Sequence, residues 1–119
     1  MKKLIFLISL LTLAMSASAM AADLSCSGTE PFWDLKIKGN TVVYNGFFND
    51  ETTTTEKIIS KTDAAGLAED FAFVIKTPNA SATIVTGECS DGMSETVYEK
   101  HIVYKTNDSV LYGCCNPAK

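Results

Sequence analysis

Apolar and polar residues alternate along much of this chain with a period of two. Trp33, Leu35 and Ile37 interleave with Asp34, Lys36 and Lys38, the pattern of a strand with one face buried. Gly39-Asn40 follows as a two-residue turn that tolerates positive φ, and Thr41-Val42-Val43-Tyr44 forms the return strand, ended by Asn45-Gly46. Residues 49–56 are polar and β-branched, and predict an exposed edge strand or a loop leading into Lys57-Ile58-Ile59-Ser60. Residues 63–70 alone have helix-friendly composition, but they are few and interrupted by Gly66, so they predict a long connection. Phe71, Phe73 and Ile75 alternate again, Thr77-Pro78-Asn79-Ala80 turns the chain, and Ser81 to Thr86 forms the next strand. After a loop over residues 87–94, Thr96 to Lys105 is the longest strand candidate, and Thr106-Asn107-Asp108 turns into Ser109–Cys115, the last strand. Short strands at this spacing predict one all-β domain, a small antiparallel β-barrel of about eight strands.

The N-terminus breaks that pattern. Lys2 and Lys3 precede an apolar run from Leu4 to Met15, and small residues follow from Ser16 to Ala22. Charge, short apolar core and small-residue end make a secretory signal peptide over residues 1–21. As a helix the apolar run would reach only ~18 Å, short of the ~30 Å hydrocarbon core of a bilayer. Contact with the membrane is therefore expected only through the signal, before cleavage. Ala17-Ser18-Ala19 and Ala19-Met20-Ala21 both satisfy the small-x-small rule, and the second is preferred because it leaves Ala22 as the mature start. Asp23-Leu24-Ser25-Cys26 carries an aspartate where a lipid-attachment signal needs an aliphatic residue, which argues against lipidation of Cys26.

Residues 22–119 then form a single β-barrel domain, periplasmic or secreted. The whole chain has ten lysines, no arginine and fourteen acidic residues. Loss of Lys2 and Lys3 leaves eight positive charges against those fourteen, a net −6. Such a domain is unsuited to phosphate backbones, so nucleic acid is excluded, and a basic partner is electrostatically favoured. Cys26, Cys89, Cys114 and Cys115, in a short exported chain, predict two disulfides. A Cys114–Cys115 bridge would close a strained vicinal ring. The two remaining pairings each tie the C-terminal pair to distant residues, on opposite faces of the last strand.

No catalytic constellation stands out. His101 is the only histidine, and nothing in the sequence supplies its partner, so it predicts a surface or cross-strand residue. Cys89, Asp91, Met93 and His101 can be drawn as a soft-metal set, but their spacing matches no closed site. Two motifs remain. Gly28-Thr29-Glu30-Pro31-Phe32-Trp33 places a carboxylate, a rigid proline and two aromatics at the entrance to a strand, with Trp33 in phase with the core and Phe32 on the other face. Glu88-Cys89-Ser90-Asp91-Gly92-Met93-Ser94 is a turn-forming loop anchored by a cysteine, carrying hydroxyls, a carboxylate and a thioether.

These motifs, with Leu-x-Gly-Cys at residues 111–114, resemble a poorly characterised bacterial family of exported proteins and lipoproteins, over residues 26–115. The resemblance implies pairing of Cys89 with Cys114, which leaves Cys26 for Cys115. On the chain-entropy estimate these bridges are worth about 3 kcal/mol and somewhat over ~4 kcal/mol. A more distant similarity is to the membrane-bound inhibitor of C-type lysozyme, a small disulfide-stapled barrel that uses a Ser-Gly loop and a following Lys-Tyr. Ser90 to Ser94 and Tyr98 match it in part, without the lysine.

Together these features predict a non-enzymatic binding module without a cofactor. Its contact surface is the Cys89–Ser94 loop (Ser90, Asp91, Met93, Ser94) and the corner of Glu30, Phe32 and Trp33. The partner is an unidentified protein or envelope ligand, favourably a basic one. The alternatives are an inhibitor of C-type lysozyme and a small envelope metal-binding protein centred on His101 and Met93. Intact-mass analysis of the exported protein is expected to show a chain starting at Ala22 with no lipid. A start at Met20 would move the cleavage to the other frame, and a lipid-bearing start at Cys26 would overturn the assignment.

Overall fold

The computed structural model describes residues 22–29, 31–46 and 52–118; residues 1–21, the expected signal peptide, lie outside them. All regular structure in these residues is β. The strands are β1 (Leu24–Thr29), β2 (Phe32–Lys38), β3 (Thr41–Gly46), β4 (Thr52–Lys57), β5 (Ser60–Asp63), β6 (Ala72–Thr77), β7 (Ala80–Ser90), β8 (Val97–Lys105) and β9 (Val110–Pro117). They form one antiparallel sheet in the order β4-β3-β2-β1-β9-β8-β7-β6-β5, curled into a half-barrel whose end strands β4 and β5 do not pair with each other. The hairpin of β2 and β3 turns through Gly39 at φ 58°, as the Gly-Asn pair requires.

The strand count differs from the sequence expectation for a physical reason. Every pairing is antiparallel and an even number of pairings separates β4 from β5, so these strands run in the same direction. Only Ile58 and Ile59 lie between them. The Ile58 N–H donates to Asn40 O at 2.7 Å, extending the β3 ladder, and the Ile59 N–H donates to Lys76 O at 2.7 Å, opening the β6 ladder. Adjacent amides of an extended chain point to opposite sides. Residues 52–63 therefore act as one long strand that leaves β3 and joins β6, where an edge strand or a loop into Lys57–Ser60 was expected, and β1 (Leu24–Thr29) is a further strand that the alternation did not announce. Glu56 fastens this hand-over: its carboxylate accepts from Thr77 Oγ1 (2.7 Å), Asn79 Nδ2 (2.6 Å) and the Asn79 amide (3.3 Å).

Three boundaries also shift. Phe71 stands outside β6 and is exposed, because the turn that brings the 64–71 connection back ends on it; Phe73 and Ile75 do face the core. β7, not the strand before the last turn, is the longest, since it continues through residues 87–90 where a loop was expected. β9 runs on to Pro117.

The core lies inside the barrel. Leu35, Ile37, Ile84 and Ile102 are fully enclosed, each worth roughly 1.5–3 kcal/mol of burial. Trp33, Tyr44 and Tyr104 stack through it with centroids 6.1, 6.1 and 5.0 Å apart. The indole fits because two strands meet it with glycines. A Cβ on Gly28, the cross-strand partner of Trp33, would overlap Trp33 Nε1 and stand 2.7 Å from Tyr112 O. A Cβ on Gly113 would overlap Ser27 O and stand 2.9 Å from Trp33 Cζ2. The glycines of the Gly-x-Glu-Pro-Phe-Trp and Leu-x-Gly-Cys motifs are thus two walls of one indole slot.

The disulfides are Cys26–Cys115 and Cys89–Cys114, the pairing that the family resemblance implied. Cys26 and Cys115 are direct register partners on β1 and β9, inside the core, with Cα atoms 4.0 Å apart. Lys61 lies over the Phe73 ring and pairs with Asp63 (3.0 Å) and Asp70. Burial pulls the Lys61 ammonium down, but its hydrogen bonds and charge pairing with Asp70 and Asp63 outweigh that and hold it above its ordinary value.

Gly28→Ala and Gly113→Ala are each expected to lower stability by about 1–3 kcal/mol or more, because the added carbon meets backbone that cannot yield. Gly87→Ala, whose Cβ would find His101 at 3.5 Å, is expected to stay within ~0.5 kcal/mol of wild type. Urea midpoints of the three variants check this ranking.

Candidate functional site

The bend in β7 creates the site. Thr86 pairs with Lys100 and Cys89 with Tyr98, so three steps on β7 match two on β8. The extra residue is a β-bulge, which bends the strand and resets its alternation. Inward positions Ala82 and Ile84 give way to Cys89, and the β7–β8 tip is carried over the outer face of the sheet. There Cys89 meets Cys114, which faces outward because its neighbour Cys115 points into the core. Both sulfurs of the outer bridge are buried beneath the tip.

Asp91 organises the tip. Its Oδ1 accepts from the amides of Met93 (2.9 Å) and Ser94 (3.1 Å), and Ser94 Oγ reaches both oxygens at 3.4 Å. Tyr98 O–H donates to Oδ2 at 3.3 Å, while the Gly92 amide donates to Ser90 Oγ at 3.2 Å with Gly92 at φ 76°. The Met93 amide, followed by those of Ser94 and the Tyr98 and Ser94 hydroxyls, holds the Asp91 carboxyl below its ordinary range, with partial burial opposing them. The hydrogen bonds of this carboxylate come from the loop and from Tyr98 on β8.

A second set of contacts pins the tip to the sheet. Glu88 O can only accept, so His101 Nε2–H donates to that carbonyl at 2.9 Å. Nδ1 is hydrogen-bonded to the Tyr112 hydroxyl. His101 is thereby a cross-strand residue with both nitrogens engaged. From β1, Thr29 Oγ1 donates to Asp91 O at 3.3 Å. A cavity of about 50 Å³ remains between the tip and β1 and β9, bordered by Ser27, Thr29, Asp91 and Tyr112.

The two sequence motifs meet on Thr29, because its register partner on β2 is Phe32. Phe32 is 56 % exposed on the outer face, and Met93, at the apex of the tip, is 64 % exposed. Ser90 and Ser94 are also exposed. Trp33 is corrected: at 2 % exposure its ring fills the core slot and offers no contact surface. Glu30 lies outside the described residues. Cys89 is unavailable as a thiolate ligand because it is in a disulfide, and no group of three metal-ligating side chains forms among the described residues. Sequence reasoning missed Thr29 and Tyr112 as anchors. Each is an ordinary outward-facing strand residue, and only the bulge brings the tip within their reach.

Comparisons with protein-family models, with curated proteins and with solved structures return no match. The geometry therefore carries the functional argument alone.

Because the folded-state pKa of Asp91 is depressed, its contribution is fully present above the unfolded value near ~3.9 and is lost as pH falls through the folded value. The amide shifts of Met93 and Ser94 are expected to titrate together with a midpoint below ordinary Asp, and Asp91→Asn is expected to abolish the transition. A midpoint at or above the unfolded value would contradict the cap.

Proposed function

We propose that this protein is an exported, non-enzymatic binding module whose contact surface is the 89–94 tip with the neighbouring Phe32 corner. One observation supports this most strongly. A loop held by a disulfide, a hydrogen-bonded carboxylate and a histidine nevertheless leaves its apical thioether in solvent. Such a loop loses little conformational entropy on binding, so contact with it is not offset by ordering. A methionine with three rotatable bonds adapts to varied apolar surfaces. Two disulfides in so small a β domain fit an oxidising compartment, periplasmic or extracellular. The partner is a protein or envelope ligand, and the net negative charge favours a basic one through encounter rate.

Cross-linked pull-down from envelope extract compares wild type, Met93→Asp, Phe32→Asp and a distant control, Val110→Asp. The expected outcome is a partner retained by wild type and the control and lost by both tip variants. Identical capture by all four would remove the tip as the contact surface. Titration into a C-type lysozyme assay separates the particular case of lysozyme inhibition: inhibition lost in Met93→Asp would identify the partner, and no inhibition at micromolar excess would eliminate that case.

A further inference from the structure

We propose that the open mouth of the barrel, beside the β6–β7 and β8–β9 turns, binds a small organic cation: an ammonium or guanidinium group on a short carbon chain. The site shares no residue with the 89–94 tip and does not rest on the reading given above.

The mouth encloses about 310 Å³, at the lower end of the roughly 300–1,000 Å³ of small-ligand sites. Its floor is made by Tyr44 and Tyr104, the outer members of the aromatic stack above Trp33. These residues are 8 % and 4 % exposed, and both border the cavity, so two largely buried phenol rings stand against any occupant.

The sign of the occupant follows from the walls. Glu56 and Asp108 line the cavity, and none of its lining side chains is cationic. Lys76 and Lys105 border an adjoining groove instead, and Lys105 Nζ turns to Thr106 O at 3.3 Å. Glu56 stays ionised. The Thr77 hydroxyl above all, opposed by burial and aided by Asn79, holds its carboxyl below the ordinary range. The field inside the mouth shows in Tyr104, whose phenol is pushed up to about 12 by burial first, then by the charges of Glu56 and Tyr44. Burial disfavours charge of either sign, and it is the contribution of Glu56 that favours a positive guest. Electron-rich ring faces add to the attraction. A bare metal ion fits less well, because no cluster of three ligating acids or imidazoles forms among the described residues. The carbon chain of an organic cation would lie on the aromatic floor while its head meets Glu56 and Asp108.

The test titrates the ¹⁵N-labelled exported protein with n-butylammonium and with agmatine, using n-butanol and butyrate as neutral and anionic matches. Saturable amide shifts are expected at Ala80, Thr106 and Asn107 with both cations. Butanol is expected to bind about tenfold more weakly or worse, and butyrate not to bind. Tyr104→Phe, which keeps the ring, and Asp108→Asn, which removes an exposed charge, are each expected to weaken cation binding several-fold while preserving the folded spectrum. No saturable shift with either cation would overturn the proposal. So would equal binding of butanol and butylammonium, or cation shifts centred away from the mouth and unchanged in both variants.

Discussion

The structure depends on the pairing of its first strand with its last. β1 and β9 lie 89 residues apart at Cys26 and Cys115, yet they are direct register partners bridged inside the core. Everything of interest sits against that junction. Gly28 from one strand and Gly113 from the other shape the slot for Trp33. On the opposite face of the same two strands, Thr29 and Tyr112 receive the 89–94 tip. The second bridge uses the residue next to the first, so a single strand carries one cross-link inward and one outward. This is why the tip can be rigid without being part of the core.

Much of this was legible in the residues, and what was not has identifiable causes. Alternation at 33–37 and the Gly39-Asn40 turn place the β2–β3 hairpin directly, because one buried face and one special turn overdetermine it. Phe71 keeps the parity of Phe73 but not its environment, since parity says nothing about where a turn ends. The bulge had a faint signature: buried positions change from even numbers at Ala82 and Ile84 to odd at Cys89. The intervening Thr86-Gly87-Glu88 carries no large apolar residue to announce the change. The hand-over at Ile58 and Ile59 is invisible because both amides look alike in sequence, and only their partners differ. The candidate tip was found through its unusual composition, whereas its anchors are unremarkable residues whose role is purely geometric.

The two ends of the argument use charge differently. At the tip, the hydrogen bonds of Asp91 hold its own loop and tie it to Tyr98 on β8, so the acidic residue most obvious in the sequence is a framework element and the exposed chemistry at the apex is apolar. At the mouth, Glu56 also serves the framework by fastening the β6–β7 turn, yet its charge still acts through space on the Tyr104 phenol. A carboxylate can be fully hydrogen-bonded and remain a source of field, which separates the two cases.

The switch of residues 52–63 from β3 to β6 bears on how the protein behaves among copies of itself. An open sheet offers two long rows of unpaired amides and carbonyls to any neighbouring chain. Here the would-be borders are consecutive pieces of one strand, so each free row is only about half a strand long and ends at the hand-over. The longer row belongs to β4, Thr52–Lys57, whose first four residues are threonines that supply little apolar surface for stacking. Self-association through strand addition is thereby limited by chain geometry together with the charges of Glu56, Lys57, Lys61 and Asp63 on the two edge strands.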